Sequence, residues 1–262
     1  MKNIAKDINI IGKFCGKRDV EELTSEQLNK TYGITQADVM VLFGGSILCG
    51  GDVLAEAMKN KIAKTYIIVG GAGHTTKTLR IKMNKEYPSI ETDNLSEAEI
   101  FSEYLKQQYG LEPDFLECES TNCGNNITYL LELLKAKDIS YKSIIISQDA
   151  TMQRRMEAGL KKYVDEDIKI INYAVYSAKV VVENSVLVYD KAIWGMWDIS
   201  RYISLLLGEI PRLSDDENGY GPNGKGFIAH VDIPAEVRSA FEELCGEYSE
   251  LIREANPLYA SK

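Results

Sequence analysis

The sequence predicts an α/β protein: a doubly wound, mainly five-stranded parallel sheet followed by a small, mostly helical C-terminal subdomain. Three observations carry this. Residues 39–43, 66–69 and 144–146 are short runs that stay apolar at consecutive positions, as strands buried on both faces are. Between such runs lie stretches with the apolar spacing of amphipathic helices. Each run ends in a Gly-rich loop or in Ser-Gln-Asp, where a parallel sheet passes into its next helix.

In chain order, residues 3–15 place Ile4, Ile8, Ile11 and Cys15 at helical spacing. A second short helix follows, with Thr24 as N-cap and Gln27 completing a capping box. The strand at 39–43 runs into Gly44-Gly45-Ser46 and a helix at 53–62, and the strand at 66–69 runs into Gly70-Gly71. Helices are expected at 77–86 and 96–109, the latter opened by a Ser96–Glu99 capping box. A weaker strand candidate at 114–117 precedes a helix at 124–137 behind Asn122. The strand at 144–146 ends in Ser147-Gln148-Asp149, with Asp149 as N-cap of a helix at 151–163, and 168–171 supplies the fifth strand.

The expected main unit is 1–185 and the C-terminal subdomain 186–262. In the latter, Ile193, Trp194, Trp197, Ile199, Tyr202, Ile203 and Leu206 predict an apolar helix over 190–207. A loop rich in glycine and acid follows at 214–224, then a last helix at about 235–255. This part is expected to pack on the sheet, with the segment near Tyr220 covering a pocket.

Composition narrows the function. The chain has 262 residues, 45% hydrophobic and 26% charged, so it can bury a sizeable core without disulfides. A net charge of −9 argues against nonspecific binding to nucleic acid or to an anionic membrane. Five scattered cysteines read as free thiols in a reducing compartment, and their spacing from His74 and His230 predicts no metal site. The first residues lack a signal-peptide apolar run, so a cytoplasmic location is expected. The oligomeric state stays open, with a monomer favoured.

In open parallel sheets, ligands bind beyond the carboxyl ends of the strands. Five loops there carry unusual chemistry. Residues 44–51 hold four glycines in eight, which suits either close ligand approach or a tight turn. Gly70-Gly71-Ala72-Gly73-His74-Thr75-Thr76 has only part of a dinucleotide fingerprint, with His74 as a donor or acid–base candidate or else a solvated loop side chain. In 96–99, Glu97 is a second catalytic candidate, although a first-turn carboxylate is also stabilised by the helix dipole. Residues 119–126 carry more polar side chains than capping needs, Asn122 and Asn126 among them. Residues 148–155 put Arg154 and Arg155 early in a helix, against its dipole. Neighbours on a helix point about 100° apart, so one of the two is expected at the pocket, as a fork for carboxylate or phosphate.

Together these loops resemble the YdcF-like proteins, a branch of a domain family that also includes SanA- and ElyC-type envelope proteins. The resemblance covers most of the chain. It rests on GGAGHTT at 70–76, STNCGNN at 120–126, QDATMQRR at 148–155, RYISLLLGEIPRLSDDENGYGP at 201–222 and HVDIPAEV at 230–237. Where the wider family usually shows a histidine after the fourth strand, Thr151 stands here, as is typical of the YdcF branch. Asn125 stands where the wider family usually has a glutamate. The resemblance implies a Rossmann-like main domain and binding of S-adenosyl-L-methionine, with no established reaction.

Three readings follow. The first is an S-adenosyl-L-methionine-binding protein, with a methyltransferase-like enzyme as one form of it. Its expected site comprises Gly44, Gly45, Ser46, Gly71, Gly73, His74, Glu97, Asn122, Asn126, Gln148, Thr151, Arg154 and Tyr220. The glycine loops would accept the nucleoside, Asn122, Asn126 and Gln148 its polar edges, and Arg154 or Glu97 its charged ends. The second is a phosphate-ester hydrolase or nucleotide-handling enzyme using His74. The third is a noncatalytic small-molecule sensor.

Overall fold

The computed structural model describes residues 1–73 and 75–251. Two helices, α1 (Lys2–Cys15) and α2 (Ser25–Tyr32), precede a β–α alternation. It runs β1 (Ala37–Phe43), α3 (Cys49–Lys59), β2 (Ala63–Val69), α4 (Thr76–Glu86), α5 (Glu97–Tyr109), β3 (Phe115–Glu117), α6 (Cys123–Ala136), β4 (Ser143–Ser147), α7 (Gln153–Lys161) and β5 (Lys169–Asn172). A hairpin of β6 (Val180–Glu183) and β7 (Val186–Tyr189) leads to α8 (Ile199–Leu213) and α9 (Ala235–Glu247), then a 3₁₀ turn at Ser249–Leu251.

The five strands form one parallel sheet in the order β3-β2-β1-β4-β5, a Rossmann-like arrangement. Alternation along each strand explains the uninterrupted apolar runs. Met40 and Leu42 face one core, with Tyr66, Ile68 and Ile145, while Val39, Val41 and Phe43 face the other, with Ile67, Val69, Ile144 and Ile146. A strand in the middle of the sheet has no polar face. The first core takes side chains from α1, α3, α5, α8 and α9, and the second from α6 and α7. The first therefore continues from the N-terminal helix into the C-terminal segment without a break at residue 185.

The caps match the expected chemistry in part. Ser96 and Glu99 make a full capping box on α5. Asn122 accepts from the Asn125 N–H to open α6. Thr24 accepts from the Gln27 N–H at 3.3 Å, but the reciprocal Gln27 contact is missing, so only half of that box forms.

Three expectations are corrected. Asp149 does not cap α7: the helix starts at Gln153, and the Asp149 carboxylate is occupied by Thr151, Tyr176 and Trp197. The helix expected over 190–207 lies at Ile199–Leu213, because Asp198 caps it through the Arg201 N–H and Gly195 turns the preceding chain at φ 75°. The β6–β7 hairpin was not anticipated. Its two-residue turn, Asn184-Ser185, has positive φ at both positions (49° and 61°), as the tight turn of a twisted hairpin requires. The last helix, expected to reach about 255, ends at Glu247 and is followed by the 3₁₀ turn at Ser249–Leu251, while 252–255 lies outside the described residues.

Candidate functional site

Strand order reverses between β1 and β4, and the crevice above their carboxyl ends is where open α/β sheets bind ligands. A cavity of about 420 Å³ lies there, within the range of about 300–1,000 Å³ usual for small-molecule sites. Its floor is the loop after β1 (Gly44, Gly45, Ser46) and the loop after β4 (Gln148, Asp149, Met152). One side is built by Gly70, Gly71, Gly73, Thr75 and Glu97, and the next by Ser120, Asn122, Cys123 and Asn126. The facing wall is a stripe along α8, Arg201, Leu205, Glu209 and Arg212, preceded by Trp197 and joined by Arg155 and Tyr220.

The glycine loops serve mainly to bring protein against protein. A Cβ on Gly44 would stand 2.7 Å from Glu97 Oε2, and one on Gly71 would stand 2.3 Å from the Ser120 carbonyl oxygen. Gly73 lies similarly against the Thr121 carbonyl, at 3.1 Å. Gly45 differs: a Cβ there would meet only Gln148 Oε1, at 3.4 Å, so this residue keeps open space beside the cavity. Next to it, the Ser46 hydroxyl is buried and has no hydrogen-bond partner among the described residues, a condition that costs about 1–3 kcal/mol unless something fills it.

Glu97 is 7% exposed yet borders the cavity. Its Oε1 accepts from the hydroxyls of Thr75 and Thr76, both at 2.9 Å. Its Oε2 accepts no hydrogen bond among the described residues. Burial pushes the carboxyl above the usual glutamate range, opposed by the two threonine hydroxyls and by Arg80. The first N–H groups of α5 are not available to an anion. Glu97 and Ala98 donate to the Gly71 and Gly70 carbonyls, and Glu99 donates to Ser96. Among the described residues Glu97 is therefore the charged group on this side of the cavity, and it suits a cation.

The loop after β4 is a knot of internal bonds. Gln148 Nε2 donates to the Gly44 carbonyl at 3.1 Å and its Oε1 accepts from the Asp149 N–H, leaving one amide hydrogen. Asp149 accepts from the Thr151 N–H and hydroxyl, from the Tyr176 hydroxyl and from the Trp197 indole. Lys82 clamps the same region, donating to the Ser46 and Gly195 carbonyls with its ammonium 4.6 Å from the Trp197 ring centre.

Two expected site residues stand elsewhere. Thr151 is 1% exposed and does not border the cavity, because its hydroxyl is turned onto Asp149. Arg154 points to α1, donating to the Phe14 carbonyl and stacking on the Phe14 ring at 4.2 Å. Of the two arginines, Arg155 borders the cavity, in a two-pronged pair with Glu209 at 2.7 and 2.9 Å. Asn122 is at the cavity edge, but its amide is used on Asn125. The Asn126 side chain makes no hydrogen bond among the described residues. Tyr220 lines the wall beside Phe227, ring centres 5.2 Å apart. His74 lies outside the described residues.

Several lining residues were missed: Thr75, Ser120, Trp197, Arg201, Leu205, Glu209 and Arg212. The last four had a visible signal. They recur every three or four residues, on the face adjoining the buried stripe of Tyr202, Leu206 and Ile210. The five cysteines are free thiols, and no helix among the described residues is long and apolar enough to cross a membrane. No protein-family model matches the chain.

Proposed function

We propose that this chain binds a small adenosine-type ligand carrying a positive charge, S-adenosyl-L-methionine in particular, in the cavity above β1 and β4. The observation that supports it most is Glu97: a buried carboxyl at the cavity edge, with one oxygen held by two threonines and the other without a hydrogen bond among the described residues. A buried carboxylate with no ion-pair partner among the described residues is costly, and an ammonium or sulfonium beside Oε2 would offset that cost. The residues present also fit a nucleoside. Gly45 leaves room for close approach, and the Ser46 hydroxyl, the remaining Gln148 amide hydrogen and the Asn126 amide offer unsatisfied polar groups.

The choice of this ligand among adenosine compounds comes from the resemblance of the 70–76, 120–126 and 148–155 blocks to the YdcF-like proteins. When bound, it supplies an electrophilic methyl group on a sulfonium. The residues described here do the work of binding. Glu97 holds the positive charge, the Gly44–Ser46 loop and Gln148 seat the nucleoside, and α8 with Tyr220 closes the side away from the sheet. Because burial raises the Glu97 pKa, a cation that favours its ionised form displaces a proton, so binding weakens as pH falls through that raised pKa.

The hydrolase reading takes its acid–base group from His74, which lies outside the described residues. Native mass spectrometry of freshly purified protein tests the proposal. Retention of an adenosine-containing molecule, or its binding when supplied, is the expected result. Failure to bind any such compound at millimolar concentration overturns the reading.

A further inference from the structure

We infer that the end of the cavity formed by Arg155, Arg212 and the first turn of α6 binds a carboxylate or phosphate group. This rests on the binding role proposed above and adds which part of a ligand enters there. Glu209 is the carboxylate at this end, and both of its oxygens are taken by Arg155, through Nε at 2.7 Å and Nη2 at 2.9 Å. Arg212 lies one helical turn further along α8 and has no carboxylate partner among the described residues. Its Nη1 donates to the Gly208 carbonyl. Arg212 is thus a cation at the cavity wall with no carboxylate at ion-pair distance among the described residues, in a chain whose net charge is −9.

The position of Arg212 in the last turn of α8 accounts for a cation being tolerated there, since it complements the helix dipole. It does not account for what surrounds it. Asn126 and Tyr220 border the same cavity, and their side chains make no hydrogen bonds among the described residues. The N–H groups of Cys123 and Gly124, at the start of α6, likewise have no partner there. Residues of α6, α7, α8 and the Tyr220 loop thus line the same cavity as the Arg155–Glu209 pair. A planar carboxylate or a phosphate matches a guanidinium fork set beside a helix N-terminus. Glu97 stands on the sheet side of the same cavity, so the cavity suits a cationic group at one side and an anionic group at the other.

The anion has two sources: the amino-acid carboxylate of the ligand itself, or a separate acid bound with it. Calorimetric titration and thermal melting of the full chain, wild type and Arg212→Gln, distinguish them. The probes are S-adenosyl-L-methionine, 5′-methylthioadenosine (a nucleoside without the carboxylate) and inorganic phosphate. If the carboxylate is the ligand's own, Arg212→Gln weakens S-adenosyl-L-methionine by roughly 10-fold or more, as loss of a charged hydrogen bond does, and leaves methylthioadenosine unchanged. If it belongs to a second molecule, both nucleosides are unaffected, while phosphate raises the melting temperature of wild type and not of the variant. Should Arg212→Gln fail to fold, Tyr220→Phe, which removes only the hydroxyl donor, carries the same comparison. Should no nucleoside bind wild type, the proposed function fails, and the phosphate melts still decide the anion site. Identical responses of wild type and variants to every probe overturn the inference.

Discussion

Gln148, the first residue after β4, donates through Nε2 to the carbonyl of Gly44, the first residue after β1, at 3.1 Å. The two strands are neighbours in the sheet but lead into opposite halves of it, so this bond closes the floor of the crevice at the point where the strand order reverses. The same side chain accepts from the Asp149 N–H, which leads into the Thr151, Tyr176 and Trp197 contacts. One amide thus ties the sheet edge to the segment that precedes α8.

Gln148→Leu is expected to lower stability by about 1–3 kcal/mol, since it leaves the buried Gly44 carbonyl and Asp149 N–H without these partners. Chemical denaturation measures this. A loss confined to ligand binding, with stability unchanged, would mean that the bond is not part of the floor.

The glycines separate into two kinds, and alanine substitution exposes the difference. Gly71→Ala puts a Cβ 2.3 Å from a backbone oxygen and is expected to cost about 1–3 kcal/mol as overpacking. Gly45→Ala meets only the Gln148 side chain, at 3.4 Å. It is expected to leave the melting temperature nearly unchanged and to weaken ligand binding, because the methyl occupies cavity space. Melting curves and a titration on both variants check the contrast.

At the opposite edge of the sheet, Asp38 accepts from Lys64, from the Lys142 N–H and from the Ser143 N–H and hydroxyl. Burial opposes its ionisation, but these donors win and hold the carboxyl at about 2. A pKa held below the unfolded value contributes stability above about pH 4, and that contribution is lost as pH falls toward 2. Asp38→Asn is expected to remove on the order of 1 kcal/mol at neutral pH, after allowance for solvent screening. Its stability should also fall less steeply than wild type between pH 4 and 2, as acid denaturation followed by circular dichroism would show.

Much of the fold was legible because its strands are buried on both faces. Runs such as Val39-Met40-Val41 have no polar alternation to mistake for loop or helix. The hairpin at 180–189 carried a readable turn, Asn184-Ser185, but its strands lie outside the main sheet and break the β–α rhythm used to find the others. The start of α8 was misplaced because Trp194 and Trp197 are apolar for a tertiary reason. Trp194 packs beside Tyr87 and Tyr104, and Trp197 bonds Asp149. The site was half legible. Spacing alone indicated that only one of Arg154 and Arg155 reaches the cavity, but which one depends on Phe14 and Glu209, far off in sequence. The glycine loops were visible as unusual. Their packing on Glu97 and on the 118–121 backbone was not, because nothing local in sequence brings those segments together.

The central claim is that Glu97 provides the charge that holds a cationic adenosine-type ligand. Calorimetric titration of S-adenosyl-L-methionine into wild type and Glu97→Gln, with both melting curves recorded, tests it most directly. The amide keeps the shape and removes the buried charge, so the variant is expected to be at least as stable as wild type at neutral pH. Its affinity should fall by roughly 10–100-fold, the loss expected of a charge-assisted contact. Equal affinity in a folded Glu97→Gln variant, or no binding by wild type at millimolar ligand, would contradict the account.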